Sequence, residues 1–175
     1  MRPIADPTTL NRLFVGYTEH ALIGELGVTD TRLVDYVAGL LGRFLHRDQI
    51  FSLPAPVGRQ VFALSEMVHE LERSPAVGPE RRELFRHIGD FALFWSGMFP
   101  EAVQHHRAVA TGIEEVTGQG KRSYFLASTY RDLPAHADEA PLLRQLSDEF
   151  EICATGLRRA RDLWQADQSE SVGPG

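Results

Sequence analysis

Residues 79–101, PERRELFRHIGDFALFWSGMFPE, limit what this chain can fold into more than any other stretch. The segment opens charged and becomes apolar on nearly every side through Phe91, Ala92, Leu93, Phe94 and Trp95. It stops at Gly97 and Pro100. A helix that is apolar all round has neighbours on several sides, so the segment predicts a central helix near residues 80–96. Glu83, His87 and Asp90 precede the apolar part at spacings of four and three, which places them on one helix face.

The remaining periodicities are also helical. Leu10, Phe14, Tyr17 and Ala21 predict a first helix over 9–23, ended by Gly24 and Gly27. Thr29-Asp30 caps a second, with Leu33, Val37, Leu40, Leu41 and Phe44 on its buried face and Asp48 near its end. Pro54 and Pro56 make 51–58 a connector. Val57, Val61, Leu64, Val68 and Leu71 give a third helix over 59–73, and a short helical piece follows Pro100. Ile113, Val116, Gly120, Tyr124 and Ala127 line another helix. Gly120 costs about 1 kcal/mol there relative to alanine, so its place on a buried stripe predicts close backbone approach. Leu143, Leu146, Phe150, Cys153, Leu157, Ala160 and Trp164 form one unbroken seam, with Cys153 a packed thiol. The fold class is all-α: six helices and one short piece in a single bundle-like domain over 1–166, then a disordered tail over 167–175.

Composition narrows the function classes. A net charge of −6 with no basic block argues against a nucleic-acid surface. No apolar run approaches the roughly 20 residues that span a bilayer, and no secretory signal is present, so a cytoplasmic protein is expected. One cysteine permits no internal disulfide.

Four constellations carry possible chemistry. Glu66-Met-Val-His69 has the Glu-x-x-His spacing of di-iron bundles, and Glu83, His87, Glu101 and His105 add ligand types for iron, manganese or zinc. Against this, there is one Glu-x-x-His where two are required, and Glu66 lies well off the apolar stripe. His87 with Asp90 suits acid–base work, or equally ties the central helix to Arg or Tyr groups on its neighbours. Tyr124 faces inward with Ser128 beside it, and Lys121, the only lysine among 18 basic residues, stands at the mouth of a possible anion pocket. His105 and His106 point about 100° apart and cannot share a ligand.

The segments LVDYVAGLLGRFLHRD (33–48), HIGDFALFWSGMFPE (87–101) and GKRSYFLAS (120–128) resemble a family of bacterial all-helical proteins of no assigned activity. The likeness spans about Leu10 to Trp164 and implies a helical fold; it carries over no functional residue. The leading expectation is therefore a non-enzymatic domain that binds a protein partner or a second copy of itself, through an aromatic patch of Phe94, Trp95 and Phe99 left uncovered by the core. Two others stand beside it: a metal-dependent bundle, and a small-molecule binder around Tyr124, His87 and Asp90.

Overall fold

A computed structural model describes residues 7–45, 58–101, 112–132, 134, 136–171 and 173. Among the described residues the chain forms seven α-helices and no strand. They are α1 (Pro7–Glu19), α2 (Thr31–Leu45), α3 (Gly58–Arg73), α4 (Gly78–Met98), α5 (Gly112–Ser128), α6 (Ala140–Asp148) and α7 (Phe150–Glu170). No helix among them is long and apolar enough to cross a membrane. Where one domain is expected over 1–166, the chain divides into two compact units: Met1–Leu53 with Thr155–Gly175, and Pro54–Ala154.

In the first unit, α1 does not stop at Gly24. It widens into a π-helical turn, His20–Glu25, and ends where Gly27 takes φ +70. That left-handed residue lets the Val28 N–H donate to the Leu22 carbonyl at 2.8 Å. Asp30 then caps α2 as its position predicts: Oδ1 accepts from the Arg32 and Leu33 amides at 2.9 and 3.2 Å. Leu33, Val37, Leu40, Leu41 and Phe44 are buried. Phe14 of α1 packs its ring 5.6 Å from Trp164 of α7.

In the second unit, α4 is enclosed as its sequence requires. Ile88, Gly89, Asp90 and every residue from Ala92 to Met98 are buried. Phe94 is fully covered, Trp95 is 5% exposed, and Phe99 is half-buried with its ring centroid 4.9 Å from that of Trp95. Where an exposed aromatic patch is expected, Phe94 and Trp95 are buried and Phe99 is half-buried. α5 approaches α4 closely at Gly89 and Gly120. A Cβ on Gly120 would lie 2.5 Å from the Phe150 ring and 2.8 Å from Ala92 Cβ; one on Gly89 would lie 2.7 Å from the Tyr124 ring.

The expected last helix is two. Glu149 leaves helical geometry at φ −107, ψ 24, which separates α6 from α7. Apolar spacing reports the phase of a seam, not its continuity, and the seam keeps phase across the break: Leu146, Phe150 and Cys153 are all buried. Burial, then the charges of Glu149 and Glu151, push the Cys153 thiol up to about 12, so it stays protonated and inert at neutral pH. Residues 167–170, expected in a disordered tail, are helical. Asp48, the 51–57 connector and the short piece after Pro100 lie outside the described residues.

Candidate functional site

The charged opening of α4 spaces Arg82, Arg86 and Asp90 four residues apart, so they follow one another along the helix. Arg82 is 1% exposed. A buried guanidinium is costly unless paired, and two half-exposed carboxylates cover it. Arg82 Nη1 donates to Glu83 Oε1 at 2.6 Å and Nη2 to Glu139 Oε2. Glu83 also accepts from Arg86 Nε and Nη2 at 3.1 and 2.7 Å. Partial burial raises the Glu83 carboxyl, but the Arg86 hydrogen bond and the charges of Arg86, Arg82 and His136 outweigh it and leave it below the ordinary glutamate range.

Asp90 is 5% exposed and accepts from the Tyr124 hydroxyl at 2.7 Å, with Arg86 Nη1 3.8 Å from its other oxygen. Tyr124 is fully buried, its ring in the space that Gly89 leaves on α4. The polar face of α4 is therefore fastened across to α5 by a charge-assisted hydrogen bond. The tie from the central helix to a Tyr on a neighbour, one of the two roles the spacing allowed, is made by Asp90 to a phenol 34 residues away.

The other anticipated groups are occupied or apart. Lys121 Nζ donates to both Glu151 oxygens at 2.8 and 3.0 Å, and this bond lowers the Glu151 carboxyl. The Ser128 hydroxyl donates to the Phe125 carbonyl at 2.5 Å. His87 is half-buried on α4. Among the described residues no three His, Cys, Asp or Glu side chains come together as a metal site. Glu66 is exposed on α3, consistent with its position off the apolar stripe, and Glu101 is exposed beyond the end of α4. His69 is exposed, its Nε2 3.4 Å from Arg73 Nη1, and Glu83 belongs to the arginines. His105 lies outside the described residues.

What the sequence does not announce is a cleft between α3 and α5. One half, about 210 Å³, lies between Leu64, Ser65, Val68, His69 and Glu72 of α3 and Glu115, Val116 and Gln119 of α5. The other, about 320 Å³, is floored by Leu71, Arg81, Phe85 and Leu126, with Arg122 and Ser123 on the α5 wall. Val68, Glu72 and Gln119 belong to both halves, so they adjoin. From Glu115 to Leu126 the α5 wall runs about 16 Å at the helical rise. Neither half is lined by Tyr124 or His87. The only sequence signal is Gln119, Ser123 and Leu126 recurring at four and three, one strip beside the buried stripe of α5.

Within the cleft several polar side chains make no bond to the protein and face solvent. Among the described residues, Glu72, Gln119 and Arg122 have no hydrogen-bond or ion-pair partner, and neither has the Ser123 hydroxyl, although Ser123 is 4% exposed. No known protein family, curated protein or solved structure matches the chain.

Proposed function

We propose that the chain is a binding domain that takes a small apolar-bodied molecule in the α3–α5 cleft. The observation that carries this is the lining itself: Val68, Leu71, Phe85, Val116 and Leu126 give an apolar interior, and polar groups without partners converge on it. Small-molecule sites have this composition and span roughly 300–1,000 Å³, and the larger half of the cleft falls at the low end of that range. A stable protein interface covers about 800 Å² on each partner, far more than a cleft of this size provides, and of the aromatic group that favoured a partner protein Phe94 and Trp95 are buried and Phe99 half-buried.

The test is fluorescence titration of the full chain with N-phenylnaphthylamine, a neutral dye that brightens in apolar surroundings. Saturable binding is expected. Gln119→Trp places a large ring on the wall shared by both halves and should weaken binding about tenfold or more, the equivalent of about 1.4 kcal/mol, while far-UV circular dichroism and Tm stay near those of the parent. Val68→Trp, on the opposite wall, should do the same. Absence of saturable binding, or parental affinity in both folded variants, would contradict the proposal.

A further inference from the structure

We infer that the half of the cleft bearing Arg81, Arg122 and Ser123 receives the anionic head of a small amphiphile, a monocarboxylate or monosulfonate whose apolar body lies against Val68, Leu71 and Phe85. This ligand class presupposes the binding cleft proposed above and adds to it the charge and direction of the ligand.

Three side chains from two helices make the head site. Arg81 is already held. Its Nη1 donates to the Leu71 and Ser74 carbonyls at 3.3 and 3.5 Å, and its guanidinium stands 5.5 Å from the centroid of the Phe85 ring. A guanidinium has five N–H donors, so an arginine anchored through one nitrogen keeps others for a ligand and loses little freedom when it binds. Arg122 is exposed, lines the same half, and has no carboxylate partner among the described residues. Arg82 and Arg86, by contrast, both bind Glu83.

Ser123 is the group that points to a ligand. It is 4% exposed, it lines the cleft, and its hydroxyl has no partner among the described residues. The Ser123 hydroxyl is not among the buried side-chain atoms that lack a partner, so it opens onto the cleft, where it can donate to a bound carboxylate oxygen in place of water. Two guanidinium groups and a hydroxyl donor in an apolar-floored cleft select an anion.

The single opposing charge in this half is Glu72, which leaves an excess of one positive charge and so favours a monoanion over a dianion. The other half holds Glu72 and Glu115 and no arginine or lysine. A negative head is repelled from that half and drawn to this one, which fixes the ligand's direction.

The test compares two dyes with the same aromatic body on the full chain: anilinonaphthalene sulfonate, which carries one negative head, and neutral N-phenylnaphthylamine. The sulfonate is expected to bind about tenfold tighter, as a charge-assisted hydrogen bond supplies. Arg122→Gln should remove about tenfold of the sulfonate's affinity and change that of the neutral dye by less than about twofold. Ser123→Ala should act in the same direction with a smaller loss. Arg131→Gln, at an exposed position outside the cleft, should leave both dyes unaffected. Equal affinities for the two dyes, or a sulfonate affinity indifferent to Arg122→Gln, would overturn the anionic class and leave the cleft as a neutral-ligand site. Failure of both dyes to bind saturably would overturn the cleft itself.

Discussion

Gly120→Ala is expected to unfold more readily than the parent chain, and Gly118→Ala, two residues earlier on the same helix, less readily. Alanine in place of a mid-helix glycine gains about 0.8–1 kcal/mol wherever there is room for the methyl group. Gly118 is exposed and a Cβ there meets nothing within 4 Å, so that gain is uncancelled. At Gly120 the same methyl would sit 2.5 and 2.6 Å from two carbons of the Phe150 ring and 2.8 Å from Ala92 Cβ. Both neighbours are fully buried and the ring is rigid, so neither yields cheaply. Overpacking of this kind costs about 1–3 kcal/mol, and two rigid buried neighbours put Gly120 at the upper end, so a net loss of up to about 2 kcal/mol is expected after the propensity gain. Urea unfolding followed by circular dichroism measures both. A stabilised Gly120→Ala chain would mean that α4 and α5 do not approach so closely.

The second large effect is expected at Asp90 and Tyr124. Tyr124→Phe takes the 2.7 Å phenol donor from a carboxylate that is 5% exposed, and should cost about 1–3 kcal/mol. Asp90→Ala strands the phenol in the interior, leaves a gap in α4 and deprives Arg86 of its 3.8 Å partner, for a loss of about 3 kcal/mol. The double variant should lose less than the two singles together, by about 1–2 kcal/mol, because both break one interaction. Affinity of the folded chains for N-phenylnaphthylamine should stay parental, since neither side chain lines the cleft. A Tyr124→Phe chain of parental stability that no longer binds the dye would make the bond the binding site and the cleft a bystander.

What could be read in advance was what depends on period and local chemistry. The enclosure of α4 follows from apolar residues on all its sides, the α2 start from Asp30, and the tight α4–α5 approach from a glycine on a buried stripe. What depends on neighbours distant in sequence was not legible. Nothing around Arg82 shows that Glu139, 57 residues on, completes its pairing. Spacing put Asp90 beside His87 but could not choose between that residue and a phenol on another helix. The seam through Leu146, Phe150 and Cys153 concealed the break at Glu149, because the pattern survives it. The cleft lies between α3 and α5, a separation no single-helix pattern encodes, so its α5 lining, Gln119, Arg122 and Ser123, differs from the Tyr124, Lys121 and Ser128 that the spacing singled out.

The measurement that bears most directly on the binding cleft is a map of backbone amide chemical shifts of the isotope-labelled full chain during titration with N-phenylnaphthylamine. Saturable shifts should centre on Val68 and Glu72 of α3, Phe85 of α4, and Gln119 and Ser123 of α5. Shifts centred instead on Gly89, Asp90 and Tyr124, or spread over the chain without saturation, would contradict the cleft as the site of binding.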